Sequence, residues 1–578
     1  MKRLIVLVIL VFAACIAFAQ APADTAPPEA PADTPSETPA APEEPLKPED
    51  MKVILFNAVM DGDLTHVQQL MNKKAPVNIT DSSGFSPLHY SVCFKDLAIT
   101  KLLINNKANL DARDIEGYTP IYYAAENGSA EIFNLLLKRG ASTAPTEKTS
   151  LLHMAAYGGN TDIIRALLDK QLSPTARDSQ ELLPIDYAAA RNNDDAVLLL
   201  ADHMPEEAIS LNTLLPLLVG ENKKVLHGLF AKVADKDRFN SELDSPARIV
   251  AHYSTADMLS FLEEEGVSVT WVSPSGNSAL FEAALAGNME VLKLLIDKGM
   301  DVNCVLTDTG FTPIMTACCA GNSDIVKYLA EKGARLDMPS AKGTYLIHEA
   351  AFRGNLELVI FFTDRQQDVN MPDSRGVTPL FHALDANQPG VVSWLLEHGA
   401  DPRHKTMNGD TALHYAALAD NEALFKQIIP LTAGYANLQD KDGVTPLMYA
   451  AMTGNMPVVR ALLALGAKPD ARDAEGNTLL HFAVLSNKPE SVRLLLEKGV
   501  NPDTPNSRGE LPLDIAEKNK YGDVIAVLKP APPEQEAAPD TPEGDSPAAE
   551  APLPAEAPAA PGQTAEPAAP SETAPPKS

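Results

Sequence analysis

Residues 408–420, Asn-Gly-Asp-Thr-Ala-Leu-His-Tyr-Ala-Ala-Leu-Ala-Asp, carry a motif that returns many times along this 578-residue chain. The copies are marked by a shared glycine, at Gly84, Gly117, Gly276, Gly310, Gly343, Gly376, Gly409, Gly443, Gly476 and Gly509. Successive full copies are 33 or 34 residues apart. A period of this length indicates a stack of small supersecondary units, none of which buries its apolar face alone. The sequence therefore predicts a solenoid, and the functional question becomes which partner it binds.

Within each unit, particular residue types mark the start and the end of a first helix. In the copy around Gly443, Thr445-Pro446 begins the helix. A threonine hydroxyl accepts hydrogen bonds from free N–H groups, and proline at the first helical position has no N–H to leave unpaired. Ala450-Ala451 supplies small side chains that let a neighbouring helix pack closely, and Gly454-Asn455 predicts the turn that ends this helix.

A second helix follows the turn. Its apolar residues have the i, i+3, i+4 spacing of one helical face, as in Val459, Leu462 and Leu463. Gly466 then ends the helix in the left-handed conformation, and an Asp- and Asn-rich hairpin leads to the next unit. The sequence therefore predicts a mainly α-helical fold of helix–turn–helix units joined by hairpin loops.

The combination of Thr/Ala-Pro/Ala-Leu-His-x-Ala-Ala with Gly-Ala-Asp after the second helix resembles the ankyrin repeat. The resemblance covers about 480 residues, from 51 to 529, and implies fourteen or fifteen repeats when degenerate units are included. It also implies a curved stack of helix pairs whose hairpins project to one side. The hairpins and the first helices would then form a concave binding surface.

One stretch, at about residues 205–270, departs from this pattern. It keeps helical apolar spacing but loses the Thr-Pro-Leu-His motif and most of the glycines. The favoured interpretation is two degenerate repeats. The alternative is a small inserted helical segment that separates two stacks.

The first 19 residues have the composition of an export signal. A positively charged start precedes the apolar stretch Leu4–Ala19, whose 16 residues are fewer than the roughly 20 that span a membrane. Small residues predict cleavage after Ala19, and no later segment is apolar enough to cross a bilayer. The alternative is a lipoprotein signal with acylation of Cys15, although Phe12 stands where that pattern usually has Leu. The protein is thus predicted to be exported, to the periplasm, the cell envelope or the exterior, with a lipid anchor if Cys15 is acylated.

Both ends of the remaining chain have a biased composition. Residues 20–50 and 530–578 consist largely of Ala, Pro and acidic residues, with nine prolines in 21–50 and fourteen in 530–578. With few large apolar side chains to bury, both are predicted to be disordered, as a spacer and a tail. The formal net charge of the chain is −30. Nucleic acid is therefore not an expected partner, because phosphate binding requires a basic surface.

Five histidines share one repeat position, namely His89, His153, His348, His414 and His481. A row of histidines suggests a metal site, but other units have Phe, Met, Tyr or Asp there, which a row of metal ligands would not tolerate. The resemblance to ankyrin repeats implies that this histidine hydrogen-bonds between neighbouring units. No phosphate loop, nucleophile elbow or zinc-type cysteine spacing occurs. No catalytic, cofactor-binding or metal-binding residue is therefore predicted.

The position after each glycine of the repeat is predicted to lie near a hairpin tip. Large apolar side chains occupy it at Phe85, Tyr118 and Phe311, and aromatic anchors commonly dominate interface energies. The alternative is that each ring covers a neighbouring hairpin. Charged tip residues are predicted to form a rim that orients a partner, at Arg113, Arg375, Lys441, Arg472 and Arg508.

Taken together, these features favour a non-enzymatic scaffold for protein–protein interaction, exported to the cell envelope or beyond. Partner proteins would bind the concave face, which loses little entropy on binding because it is already formed. A secreted effector that engages host proteins is the alternative. An enzyme is the least favoured class, because no segment outside the repeats is large enough for a catalytic domain.

Overall fold

The structure is a computed structural model that describes residues 48–242, 244–419 and 421–529. The predicted signal peptide, with Cys15 and Ala19, lies outside these residues, as do most of the predicted spacer and the tail at 530–578. The described residues form thirty α-helices in fifteen helix–turn–helix pairs, which we call repeats 1 to 15. The first helix begins at Pro48, within the predicted spacer and three residues before the predicted start of the repeats.

The first helices of repeats 1 to 15 are α1 (Pro48–Met60), α3 (Pro87–Cys93), α5 (Pro120–Glu126), α7 (Leu151–Gly158), α9 (Pro184–Ala190), α11 (Leu211–Val219), α13 (Pro246–Tyr253), α15 (Ala279–Ala286), α17 (Pro313–Ala320), α19 (Leu346–Arg353), α21 (Pro379–Asp385), α23 (Ala412–Leu418), α25 (Pro446–Thr453), α27 (Leu479–Leu485) and α29 (Pro512–Lys518). The second helices are α2 (Leu64–Asn72), α4 (Leu97–Asn105), α6 (Ala130–Lys138), α8 (Thr161–Asp169), α10 (Asp194–Asp202), α12 (Lys223–Phe230), α14 (Ala256–Glu264), α16 (Met289–Asp297), α18 (Ser323–Glu331), α20 (Leu356–Asp364), α22 (Pro389–Glu397), α24 (Glu422–Thr432), α26 (Met456–Ala464), α28 (Pro489–Glu497) and α30 (Gly522–Leu528). The pairs succeed one another without interruption, so the repeats form one continuous array.

Repeat 13 shows how the sequence sets the ends of a first helix. The hydroxyl of Thr445 accepts the backbone N–H of Met448 at 3.3 Å, which caps one of the free donors of α25. Ala450 and Ala451 are fully buried, so the next first helix can pack closely against them. Gly454 ends the helix with a φ of 67°, in the left-handed region that favours glycine.

Second helices form another layer, against which the first helices bury their inner side. In α26 the buried residues are Val458, Val459 and Leu462, whereas Leu463 is half-buried. The apolar stripe is therefore shifted by one residue from the spacing inferred from the sequence. One hydrophobic core connects all repeats, because each pair buries its apolar side against both neighbours. In the described part of the chain, no helix is long and apolar enough to cross a membrane.

The irregular stretch at residues 205–270 contributes two further helix pairs, repeats 6 and 7. Helix α11 packs between α9 and α13, and α13 packs against α15, so the row of first helices continues through this stretch. Short 3-10 helices at Glu206–Ala208 and Lys236–Phe239 replace the hairpins of the other repeats. The structure thus places two stacked repeats here, with altered loops.

Neighbouring hairpins are joined by backbone hydrogen bonds that we call the tip ladder. In repeats 11 to 15 these bonds run from Met407 N–H to Arg375 O (2.9 Å), from Lys441 N–H to Asn408 O (2.7 Å), from Ala474 N–H to Asp442 O (2.7 Å) and from Ser507 N–H to Glu475 O (2.8 Å). Between repeats 5 and 8, no such backbone bond occurs among the residues that the structure describes. The array therefore has the same helix packing throughout, but its hairpins are joined differently in the middle.

Candidate protein-binding surface

In several repeats one aspartate holds the hairpin on its first helix, and Thr, Ser or Asn takes the same position in others. In repeat 13, Oδ1 of Asp440 accepts the N–H groups of Asp442 (2.9 Å) and Val444 (2.8 Å), while Oδ2 accepts the hydroxyl of Tyr449 at 3.1 Å. The same tyrosine–aspartate bond recurs as Tyr90–Asp81 (2.7 Å), Tyr123–Asp114 (2.5 Å) and Tyr187–Asp178 (2.6 Å). Hairpins and first helices therefore form one rigid surface.

We call the surface lined by the fourth residue and the C-terminal end of each first helix the first-helix face. Tyrosine and phenylalanine rings occupy the fourth position in many repeats, at Tyr90, Tyr123, Tyr187, Tyr415, Tyr449 and Phe482. Large apolar side chains are exposed at the helix ends, at Met60, Phe94, Phe352, Leu418 and Leu485. Phe94, the largest of these exposures at 57%, stacks over Tyr90 with ring centroids 6.4 Å apart. The face is therefore preorganised and rich in aromatic side chains.

The three aromatic residues predicted to anchor a partner lie on this side of the molecule but are half-buried. The ring of Phe85 lies 5.2 Å from that of Tyr123 in the next repeat and 5.4 Å from that of Tyr90. Tyr118 contacts Tyr122 with ring centroids 5.6 Å apart. Phe311 is packed against the core in the same way. These rings cover neighbouring structure, which is the alternative that the sequence left open, and their part in binding stays a prediction.

The apolar residues exposed at the hairpin tips are different ones. Ile115 is 73% exposed and Met407 is 63% exposed, and each lies two positions before the glycine of its hairpin. In the other regular hairpins this position is Ser, Pro, Asp, Ala or Lys. That contrast was available in the sequence and would have selected Ile115 and Met407. The predicted anchors were taken from the position after the glycine, and Ile115 and Met407 lie before it.

The predicted cationic rim does not form one cluster. Arg113, Arg375, Lys441, Arg472 and Arg508 are all exposed, on the tips of repeats 3, 11, 13, 14 and 15. Arg375 pairs with Asp373 of its own hairpin at 3.0 Å, and Arg508 pairs with Glu475 of the preceding tip at 2.8 Å. Part of this charge is therefore neutralised within the protein itself.

Four of the five histidines in the row, His89, His153, His348 and His481, connect successive repeats. In repeat 4, Nδ1 of His153 accepts the N–H of Ser150 at 3.3 Å, and Nε2 lies 3.1 Å from the carbonyl oxygen of Leu182 in repeat 5. Corresponding contacts join His89 to Tyr118 O, His348 to Met371 O and His481 to Glu510 O. Burial lowers the pKa of all five histidines, to about 4 for His348. A neutral ring that accepts at Nδ1 and donates at Nε2 fits both contacts, so the row is a structural link.

The described residues show no arrangement that points to metal or thiol chemistry. Within them, no group of three or more His, Cys, Asp or Glu side chains is placed to hold a metal ion. Cys93, Cys304, Cys318 and Cys319 are free thiols, and burial raises the pKa of each. A protonated thiol is a poor nucleophile, so none of these four side chains resembles an activated cysteine.

Comparison with known families identifies the repeats. The family described as "Ankyrin repeats (3 copies)" matches residues 55–147, 142–212, 248–340, 346–434, 413–506 and 465–533, and "Ankyrin repeats (many copies)" matches residues 320–363. The chain therefore belongs to the ankyrin-repeat family. The fold is that of a scaffold for protein–protein interaction. The matches stop at residue 212 and resume at 248, where the hairpins are replaced.

Known relatives match this chain over limited stretches, and each is a longer protein. The chain is 28% identical over 189 residues to the ankyrin repeat domain-containing protein SAT10 of Stachybotrys chartarum, which covers 31% of this chain and 10% of that protein. It is 27% identical over 176 residues to the potassium channel AKT2/3 of Arabidopsis thaliana, with 29% and 21% covered. It is 32% identical over 96 residues to the phosphocholine transferase AnkX of Legionella pneumophila, with 16% and 10% covered. The chain spans at most about a fifth of these relatives, so their activities do not transfer to it.

Proposed function

We propose that this protein is an exported, non-enzymatic scaffold that binds partner proteins on its first-helix face and hairpin tips. The observation that supports this surface is the exposure of large apolar side chains on it, above all Phe94, Ile115 and Met407. Exposed apolar and aromatic side chains on a rigid support are typical of binding hot spots. The half-buried rings of Phe85, Tyr118 and Phe311 would support this surface from below.

The binding surface is tested by in-cell crosslinking and pull-down of the tagged protein with two matched triple variants. Phe94→Ser/Ile115→Ser/Met407→Ser removes exposed side chains, and we expect it to lose the captured partner. Phe85→Ala/Tyr118→Ala/Phe311→Ala removes the half-buried rings, and we expect weaker capture. Leu64→Ser/Leu431→Ser is the control, because these large apolar residues are also exposed, at 42% and 39%, but belong to second helices.

Each variant is first shown to be folded by its thermal unfolding curve. Equal capture by the parent and the Phe94 variant would move the interface away from the first-helix face. Absence of any specific partner for the folded parent would contradict the scaffold function itself.

Export rests on the sequence of residues 1–19. Mass spectrometry of the purified protein is expected to show either an N-terminus after Ala19 or a lipid on Cys15. Recovery in the periplasm or envelope fits the favoured scaffold, with residues 20–50 as a spacer if Cys15 is acylated. Recovery in the culture medium would favour the secreted effector that engages host proteins. A cytoplasmic, uncleaved protein would contradict export.

A further inference from the structure

Negative charge is unevenly distributed over the repeats. Residues 51–180 contain 13 Asp and Glu and 13 Lys and Arg, and residues 311–529 contain 26 and 21. Residues 181–310, which include repeats 6 and 7, contain 21 Asp and Glu but 9 Lys and Arg. The middle of the array is therefore the most acidic part of the repeat region.

Several cations of this middle part are already engaged. On the second-helix side, ion pairs join Lys223 to Asp257, Lys232 to Asp202 and Lys298 to Glu263. The guanidinium of Arg238 donates to the carbonyl oxygens of Glu206 (2.5 Å) and Ile209 (2.7 Å), and Arg248 is paired with Glu282 at 2.9 Å. The three lysines and Arg248 are therefore paired with carboxylates, and Arg238 is held by backbone carbonyls.

Exposed carboxylates remain on the loops and helix ends of repeats 6 and 7. Glu207 lies in the 3-10 helix that replaces the hairpin of repeat 6, and Glu242 lies where repeat 7 would have its tip. Glu221 directly follows the end of α11. Among the described residues, none of these three carboxylates lies in an ion pair. Their charge is therefore available to a partner.

Exposed apolar side chains lie at the C-terminal ends of the same two first helices. Val219 and Tyr253, each 43% exposed, end the first helices of repeats 6 and 7. Glu221 accepts hydrogen bonds from Ser254 (2.8 Å) and Thr255 (2.9 Å), which brings the two helix ends together. The first-helix face of repeats 6 and 7 thus combines exposed apolar side chains with carboxylates at both of its edges.

We infer that the first-helix face of repeats 6 and 7 docks a basic, amphipathic segment of a partner protein. Apolar side chains of the segment contact Val219 and Tyr253, and its Lys or Arg side chains lie over Glu207, Glu221 and Glu242. Charge complementarity selects this occupant, because it steers association and opposes partners of like charge. A second copy of this acidic chain and a nucleic acid are both disfavoured for that reason. The inference rests on the proposed scaffold function and names the chemistry of one partner.

The test measures binding of a fluorescent, 14-residue Lys/Leu amphipathic peptide to the full-length protein by anisotropy. We expect binding that weakens as salt is raised, and no binding of the matching Glu/Leu peptide. Glu207→Gln/Glu221→Gln/Glu242→Gln keeps side-chain size and the acceptor for Ser254, and is expected to weaken binding about tenfold. The control Glu331→Gln/Glu397→Gln/Glu490→Gln removes the same charge from exposed second-helix sites and is expected to change Kd less than about twofold.

A second variant, Val219→Ser/Tyr253→Ser, tests the apolar part and is expected to weaken binding without changing its salt dependence. Equal losses of peptide affinity in the two Glu→Gln variants would mean that the overall negative charge of the protein attracts the peptide. That result would overturn the inference. Binding of the Glu/Leu peptide, or self-association that the Glu207 variant alone abolishes, would overturn it as well. If cellular partners are captured normally by the Glu207 variant, this docking surface fails while the scaffold function stands. If the folded parent captures no partner, the scaffold function itself fails.

Discussion

Repeats 11 to 15 and repeats 6 and 7 stack their first helices in the same row, yet they join their loops by different interactions. In repeats 12 to 15 each hairpin donates a backbone N–H to the preceding one, so that the hairpins of repeats 11 to 15 are joined. In repeats 6 and 7 side chains take over, since Arg238 reaches two backbone carbonyls of repeat 6 and Oε2 of Glu242 accepts the N–H of Ser275 at 3.4 Å. Helix packing therefore defines the repeat, and the hairpin can be replaced.

The two kinds of loop interaction differ in how far their stability depends on particular side chains. Backbone hydrogen bonds need no particular side chain, whereas a buried ion pair depends on both of its partners. Repeats 6 and 7 should therefore be the part of the array that single substitutions disturb most. The two tryptophans, Trp271 after repeat 7 and Trp394 in repeat 11, report on the two regions separately.

Arg248→Ala is expected to have the largest effect. Arg248 and Glu282 are 8% and 15% exposed, so the substitution leaves a carboxylate with little access to water and costs about 3 kcal/mol. In urea unfolding, the transition reported by Trp271 should move to lower urea and that reported by Trp394 should stay. Arg375→Ala is the control, because Arg375 is 67% exposed and the buried Asp373 keeps the backbone N–H groups of residues 375 and 377 as donors. Equal shifts at both tryptophans would show that the two regions unfold as one unit.

Gly443→Ala should break the tip ladder at one point. Gly443 has a φ of 78°, and an added Cβ would lie 2.7 Å from the backbone nitrogen of Ala474 in the next hairpin. Gly499 has a φ of 80° but nothing within 4 Å. We therefore expect Gly499→Ala to cost about 1 kcal/mol and Gly443→Ala at least about twice that. Equal changes in the free energy of unfolding would mean that contact between hairpins does not constrain this glycine.

His348→Gln tests the histidine row through pH. Burial holds the pKa of His348 at about 4, below the usual 6.5, so the unfolded state binds more protons between these values. The part of the free energy of unfolding that the neutral His348 ring contributes should be fully present in the parent above about pH 6.5. It should be lost progressively as the pH falls toward 4. Between pH 7 and pH 5, the free energy of unfolding measured by urea titration should fall by about 1 to 2 kcal/mol less in the variant than in the parent. His203→Gln, at an exposed position outside the row, should follow the parent.

Lys223→Ala should have the smallest effect. Its pair with Asp257 joins repeats 6 and 7 at 2.5 Å, but the Asp257 side chain is 79% exposed. Exposed pairs of this kind contribute less than about 1 kcal/mol, and less at high salt. A shift of the Trp271 transition under about 0.5 kcal/mol is therefore expected. A shift as large as that of Arg248→Ala would show that surface ion pairs, and not the buried one, hold these repeats together.

Much of this fold was predictable, because it is local. Thr445-Pro446, Ala450-Ala451 and Gly454 each act through contacts within one repeat or with its neighbour, and their spacing repeats along the chain. The histidine row could be assigned to structure from the variety of residues at its position. The one-residue shift of the apolar stripe in α26 was not predictable from spacing, since α26 packs against several helices at once.

The candidate surface was less accessible to sequence reasoning. Phe85, Tyr118 and Phe311 were chosen because large apolar residues at a hairpin are costly to expose, yet the rings of Phe85 and Tyr118 contact side chains 4 to 38 residues away. Whether a side chain is exposed depends on such contacts. The exposed apolar side chains in the structure are instead those of residues such as Phe94 and Ile115.

Residue type and spacing were enough to predict the repeat, its helix ends, its acidity and the expectation of export. Which aromatic rings are covered, which cations are already paired and how repeats 6 and 7 remain stacked without regular hairpins depended on the folded array. Burial and ion pairing are set by neighbouring repeats, about 33 residues away in the chain, and a single repeat does not specify them.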